Sequence, residues 1–196
     1  IIKYLNEYIN TYRPKLNKNN SEYLYLNSRG SIMSRQGFWK IIKKIGVKSV
    51  QFNLVNEPLT NKNIFTFIEY ANKLNFSDIF FVTNGYLLNE KNSQKILESG
   101  LTKIQISLDA YSEKTYSERK LKNLKPANYN KTISNVLKFI ELKKKLKKPF
   151  PLIRVSFIEL STNKHEFLDF KNFWKLKVDA INYQKLVDYS KKNKIS

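Results

Sequence analysis

DIFFVTNGYLLNEKNSQKILESGLTKIQISLD, residues 78–109, holds one complete strand–helix–strand unit. DIFFVT (78–83) is apolar and rich in β-formers, with the length of a buried strand. Asn84-Gly85 closes it with a turn dipeptide. EKNSQKILES (90–99) reads as a short helix, and Gly100 stands where a left-handed C-cap belongs. KIQISLD (103–109) is a second apolar strand. Two strands joined this way lie parallel, with a right-handed crossover.

The same rhythm extends in both directions. Upstream, SVQFNLV (49–55) is a strand and NKNIFTFIEYANKL (61–74) a helix, with Ile64, Phe67, Ile68, Ala71 and Leu74 on one face. Downstream, NYNKTISNVLKFIELKKKL (128–146) is a long helix with Ile133, Val136, Leu137 and Ile140 as its apolar stripe, ended by Pro149 and Pro151. LIRVSFIEL (152–160) is a strand, NKHEFLDFKNFWK (163–175) a helix and VDAINYQ (178–184) a last strand. Five strands alternating with helices make an α/β parallel sheet. The strands are apolar nearly throughout, which predicts cover on both faces. This pattern fits a doubly wound sheet or an open piece of a (β/α) barrel, and both place chemistry at the C-terminal strand ends.

Those ends are polar or charged directly after each apolar run: Asn56-Glu57-Pro58, Thr83-Asn84-Gly85, Ser107-Leu108-Asp109, Arg154 in Arg-Val-Ser-Phe, and Asn182-Tyr183-Gln184. Each alone reads as a cap or turn. Five at equivalent positions point to a site. Residues 1–45 lack this rhythm: a helical stretch IIKYLNEYINTY breaks at Arg13-Pro14, a polar loop follows at 17–20, YLYLN (23–27) is a short strand, SRGS (28–31) a turn, and a helix runs from about Ser34 to Ile45.

Composition bounds the function. At 196 residues, 41% apolar and 14% aromatic, the chain can build a core, which argues against disorder. With no cysteine it forms no disulfide, thiolate metal site or cysteine nucleophile. The opening IIKYLNEYINTYRPK carries tyrosines, asparagines and a glutamate where a signal peptide has an apolar core, so a cytoplasmic chain without membrane association is expected. The net charge of +20 suggests nucleic acid, but it rests on 31 Lys and only 5 Arg in an Asn-, Ile- and Tyr-rich chain. Compositional bias is the favoured reading, since Arg is the usual choice for bidentate phosphate contacts. ELKKKLKK (141–148) reads as the solvated end of a helix, where Lys suits the dipole. A lone histidine, His165, cannot anchor a zinc site. No nucleophile elbow, Walker loop or dinucleotide glycine pattern occurs. Glu57 and Asp109 are candidates for an acid–base pair, with nothing else in favour of hydrolysis.

From about residue 46 to 189 the chain resembles the radical S-adenosylmethionine (radical SAM) superfamily, in particular the branch with SPASM extensions. The likeness is carried in order by VQFNLVNEPLT, FFVTNGYLLNE, GLTKIQISLDAYSEKTY, PLIRVSFIEL and FWKLKVDAINYQKLVDY. The resemblance implies a partial (β/α) barrel-like sheet of about five strands that lacks its first strand. It also implies a 4Fe-4S cluster held by Cys-x3-Cys-x2-Cys, and SAM cleaved to a 5′-deoxyadenosyl radical. By the same resemblance Glu57 and its backbone would receive the SAM amino group and Arg154 its carboxylate. Ser107 and Asp109 would approach the ribose or methionine part, and Asn84 and Gln184 would line the cavity. Two departures stand out: Asn56 replaces the usual glycine, and the cysteine motif is absent. The family therefore leads one to expect a cluster for which this chain has no ligands, and SAM binding that is weak.

YLYLNSRGSIMSRQGFWKIIKKI (23–45), with the helix before it, resembles part of the catalytic domain of Xer-type tyrosine recombinases. The resemblance implies a helix near DNA. In the alternative reading of the basic N-terminal part as a DNA-binding module, Arg13, Arg29, Arg35 and Gln36 with the scattered lysines would make the contacts. The family's catalytic Arg, Lys, His and Tyr residues all lie outside this segment, and Tyr23 and Tyr25 are strand residues. The expected organisation is a mostly helical recombinase-like appendage over 1–45, fused to a truncated radical SAM-like domain over 46–196. The expected function is that of an inactive radical SAM-type piece, with a DNA-binding module as the alternative.

Overall fold

The computed structural model describes residues 2–53, 56–119 and 129–185. The end of the strand expected over 49–55, residue 128 of the long helix and residues 186–189 of the closing segment lie outside the described residues. The chain divides into two compact units, Ile1–Val47 and Lys48–Ser196.

In the first unit, α1 (Ile2–Glu7) runs through a π-helical turn, Tyr8–Tyr12, into α2 (Arg13–Leu16). The break expected at Arg13-Pro14 does not occur. Proline lacks a donor and its ring crowds the carbonyl four residues back. The wider π turn comes just before it, and Pro14 falls in the first turn of α2, where no donor is needed. The strand expected over 23–27 shrinks to one antiparallel bridge, Leu26 with Ile32. Asn27 organises the turn between them, its Oδ1 accepting from the Arg29 N–H at 2.8 Å and the Ser31 N–H at 3.2 Å. The Arg13 guanidinium donates to the carbonyls of Ser21 (2.7 Å) and Tyr23 (2.9 Å). The Tyr8 hydroxyl donates to the Leu24 carbonyl and accepts from the Leu26 N–H. Ser34 caps α3 (Arg35–Lys44), its hydroxyl accepting from the Gly37 N–H at 3.0 Å.

The second unit is a five-stranded parallel sheet in the order β1 (Ser49–Gln51), β2 (Asp78–Thr83), β3 (Lys103–Ser107), β4 (Leu152–Glu159) and β5 (Ala180–Lys185). The connections carry α4 (Ile64–Lys73), α5 (Glu90–Glu98), α6 (Glu113–Arg119), α7 (Tyr129–Lys145) and α8 (Phe167–Trp174). A doubly wound sheet needs a reversal of strand order, and this order has none. Right-handed crossovers between strands in sequential order put every helix on the same face. The sheet is therefore an open piece of a (β/α) barrel.

Burial alternates along β2 and β3 and through Val155 of β4, so the expected cover on both faces is corrected. Ile79, Phe81, Ile104, Ile106, Ile153, Val155 and Phe157 share the helix-covered face and are buried. The opposite face, carrying Phe80, Val82, Gln105 and Arg154, is only half-buried. The stripe of α7 also differs from expectation. Thr132, Val136, Phe139 and Ile140 are buried, whereas Ile133 and Leu137 flank them half-buried. The methyl of Thr132 serves there as an apolar group, and Phe139 extends the stripe around the helix. At the strand starts, Asp78 accepts from Ser49 (2.9 Å), Lys103 (3.0 Å) and Thr102 (3.2 Å), fastening β1, β2 and β3.

Candidate cofactor-binding rim

Each parallel strand delivers its C-terminal end to one rim, and the residues there are largely engaged with one another. β1 is short, and the Asn53 side chain continues its ladder. Its Nδ2 donates to the Val82 carbonyl at 2.9 Å and its Oδ1 accepts from the Val82 N–H at 2.8 Å. Glu57 then caps the 3-10 turn Pro58–Thr60. Its Oε1 accepts from the Leu59 N–H (3.2 Å) and the Thr83 hydroxyl (2.8 Å), and its Oε2 accepts from the Asn84 N–H (2.8 Å). One carboxylate thus joins the loop after β1 to the end of β2, with three of its acceptor positions filled from within the chain. Asn84 turns its Oδ1 back to the Tyr86 N–H at 2.9 Å. Gly85, at φ +78°, brings the backbone against Ile106, Val136 and Thr132, where a Cβ would meet methyl groups at 3.1–3.3 Å.

A second cluster closes the ends of β3 and β4. Ser107 donates to Asp109 Oδ2 at 2.9 Å, and Asp109 Oδ1 accepts from the Ile158 N–H at 2.8 Å. Asp109 is buried and holds φ +58°, a left-handed conformation that Asp tolerates better than most residues. Fully buried Asn163 clamps the corner, donating to the carbonyls of Asp109 and Ile158, both at 2.9 Å, and accepting from the Leu160 N–H at 2.7 Å. Behind it, buried Glu166 holds the start of α6. It accepts from the Tyr111 N–H (2.8 Å), the Thr115 hydroxyl (2.8 Å) and the Ser112 N–H and hydroxyl. Burial pushes the Glu166 carboxyl up, but the hydrogen bonds from Ser112, Tyr111 and Thr115 outweigh it and hold the carboxyl below the usual glutamate value.

Sequence reasoning singled out His165 in this stretch, which is exposed, and missed Asn163 and Glu166 beside it. It also missed α6, whose readable signal was Ser112 followed by Glu113, an N-cap with an acid in the first turn. The Glu166 contacts span 51 to 55 residues, so no local pattern announces them.

Arg154 is different. It is the third residue of β4, so the expectation that it stands at the strand's C-terminal end is corrected. It is half-buried on the open face, in register with Gln105 at the middle of β3, and no carboxylate reaches it among the described residues. Ser107, Ser156 and Asn182 form a row across the next register position, and Gln184 lies exposed beyond it opposite Ile158. The predicted residues thus fall into two bonded groups, Glu57 with Asn84 and Ser107 with Asp109, and an open-face group of Arg154 and Gln184. An unpaired guanidinium beside hydroxyls and amides suits a ligand carboxylate. The Glu57 and Asp109 carboxylates belong to separate clusters, and each serves as an internal brace. In the first unit, Arg29 and Gln36 are exposed, and Arg35 opens α3.

An iron–sulfur cluster does not fit these residues. The chain has no cysteine, and the described residues contain no group of three His, Asp or Glu arranged to hold a metal ion. No described helix is long and apolar enough to cross a membrane.

The model of the family described as "Radical SAM superfamily" matches residues 39–170. Over 87 residues the chain is 33% identical to GTP 3',8-cyclase of Staphylococcus epidermidis, covering 44% of this chain and 25% of that protein. Over 61 residues it is 46% identical to tyrosine recombinase XerD of the same species, covering 31% of this chain and 19% of the recombinase. The chain thus spans a quarter or less of the curated relatives it matches. Among solved structures, Streptococcus suis SuiB bound to S-adenosylmethionine superimposes with a TM-score of 0.60 at 18% identity, over 80% of this chain and 34% of that one. SuiB bound to its precursor peptide SuiA gives 0.61 at 18% identity, over 87% and 37%. These two likenesses concern the fold. With the family model covering two thirds of the residues and the sequential parallel sheet beneath it, the chain belongs to the radical SAM superfamily.

Proposed function

We propose that this chain is a radical SAM-type barrel piece joined to a recombinase-like segment over residues 1–45. Its ancestral reaction was SAM-dependent radical chemistry, and the chain by itself does not perform it. The observation that carries this reading is a rim that keeps its braces, with Arg154 on the open sheet face below it, while the chain contains no cysteine. In this superfamily the cluster supplies the electron that starts the reaction. No step can be assigned to this chain through a group that it does not hold.

Anaerobic reconstitution with iron and sulfide tests the reading, with no stable cluster absorbance expected. A spectrum approaching one 4Fe-4S cluster per chain would overturn it.

Residual affinity for SAM is the finer question. Arg154 offers one charge-assisted contact to the methionine carboxylate, and the polar row Ser107, Ser156 and Asn182 lies beside it. Glu57 and Asp109 have most of their acceptor capacity filled from within, so the SAM ammonium must rely on backbone carbonyls. A water-screened charge contact contributes about 1 kcal/mol or less. With the cost of immobilising a flexible ligand, binding comes no tighter than about millimolar, near −4 kcal/mol. Calorimetry reads this directly. Micromolar affinity abolished by Arg154→Ala would replace the relic with a functional, cluster-free SAM site.

The recombinase similarity supports a second reading, a DNA-binding module in the first unit. Arg13 has its guanidinium committed to main-chain carbonyls, which leaves Arg29, Arg35 and Gln36 to contact DNA. A true interface would show affinity falling by about 0.9 log units per contacted phosphate for each log unit of salt, and surviving at physiological salt. Loss of all binding at that salt would reject it.

A further inference from the structure

At the opposite end of the sheet from the rim, the end of α7, the start of β4 and the turn after α8 enclose a cavity of about 170 Å³. Lys143, Lys144, Lys147, Lys148 and Lys177 line it with a single carboxylate, Asp179. Two of the five lysines are committed. Lys143 is 13% exposed and lies 3.4 Å from Asp179 Oδ2, which also accepts the Ile153 N–H at 2.7 Å. Lys177 donates to the Phe173 carbonyl at 2.6 Å, at the C-terminal end of α8, with its ammonium 4.1 Å from the centre of the Phe173 ring. Lys144, Lys147 and Lys148 are exposed, with no carboxylate partner among the described residues. The left-handed turn at Lys147 (φ +49°) returns the chain so that lysines from both sides of the helix end line one cavity.

The charge balance decides what this cavity can hold. The C-terminal dipoles of α7 and α8 and the Asp179 carboxylate together offset about two positive charges, leaving about three. A solvated helix end accounts for Lys143 and Lys177 and leaves the other three lysines without a counter-charge. Lysine binds phosphate as a movable point charge and needs no fork geometry. Nucleic acid is held along a groove that tracks its backbone, whereas here the lysines converge on one small cavity. We propose that this cavity is a binding site for a compact diphosphate group.

Calorimetry on the full chain with inorganic pyrophosphate, at about 0.15 M salt to screen diffuse attraction, tests it. One saturable site is expected. Combining Lys144→Gln, Lys147→Gln and Lys148→Gln should weaken binding by about tenfold, the joint worth of three water-screened contacts. The control combination Lys62→Gln, Lys91→Gln and Lys114→Gln removes the same charge from exposed positions elsewhere and should change affinity by less than about twofold. Equal weakening in both variants would overturn the proposal in favour of net charge alone. Absence of saturable binding would overturn it outright. Displacement of pyrophosphate by a single-stranded oligonucleotide at equal phosphate concentration would overturn the assignment to a compact ligand.

Discussion

The two units solve the burial problem differently. Among the described side chains of residues 1–47, Leu26 is the one large apolar group that is fully buried. Tyr23, Leu24, Tyr25, Ile32 and Phe38 are exposed around a groove of about 520 Å³. What orders this unit is polar: Arg13 on two carbonyls, Tyr8 across the bridge, Asn27 in its turn. The second unit buries Trp174, Phe81, Phe139, Phe157 and Phe170 between one sheet face and its helices. A unit of this length can be ordered by its local hydrogen bonds and still lack a core. A run of βα units brings its own cover, because each helix shields the strands it connects.

Core truncation should separate the units most clearly. Phe157 is fully buried, with ring centroids 5.4 Å from Phe167 and 5.0 Å from Phe170. Phe157→Ala should cost about 3–5 kcal/mol in urea unfolding. A loss below 1 kcal/mol would mean that the outer face of the sheet is not the core. The next largest effect belongs to the rim brace. Glu57→Ala strands the Thr83 hydroxyl and the Asn84 N–H and should cost about 1–3 kcal/mol. Glu57→Gln keeps one acceptor oxygen and should cost less. Equal stability of all three proteins would show that the carboxylate is not bracing the rim.

Acid should act on the second unit through Glu166 and Asp78. Burial pushes the Asp78 carboxyl up, but Lys103, Ser49 and Thr102 together outweigh it and hold the carboxyl below its ordinary value. A carboxyl lowered in the folded state contributes stability that is complete above its unfolded value. That contribution is lost as pH falls through the folded value. Urea midpoints should therefore drop on acidification from about pH 4.5 downward. The drop should be shallower in Glu166→Gln, and an identical slope would exclude Glu166 from the linkage. The smallest effect is expected in the first unit. Tyr25 is 57% exposed and stacks on Tyr8 at 5.7 Å, and Tyr25→Ala should leave the unfolding midpoint within about 0.5 kcal/mol. A loss comparable to Phe157→Ala would give the first unit a core of its own.

The sequence made the sheet legible where strand length, turn chemistry and burial coincide. DIFFVT ends at Thr83 in the structure because Asn84-Gly85 turns the chain there. The cover on one face was harder to read, because Phe80 and Val82 make β2 look apolar on both sides. The polar residues Gln105, Arg154 and Asn182, each in register on the open face, were the contrary signal. At the rim, sequence pattern found Glu57 and Asp109 as chemically interesting groups. It could not show that their acceptor positions are filled, because the donors arrive from strands 26 and 49 residues away. The same distance hides Glu166 and Asn163, which only the topology brings to the start of α6 and the end of β3.

The unbroken strand order has a consequence for how the molecule comes into being. Every strand from β2 onward pairs with the strand made just before it. Once β1 and β2 have paired, each later strand finds its first partner already synthesised. As the chain leaves the ribosome, N-terminal end first, each new strand meets an edge already in place, and assembly can follow the order of synthesis. Such a sheet grows like masonry laid in courses. A course missing from the beginning moves the starting edge and leaves the later courses with the neighbours they need.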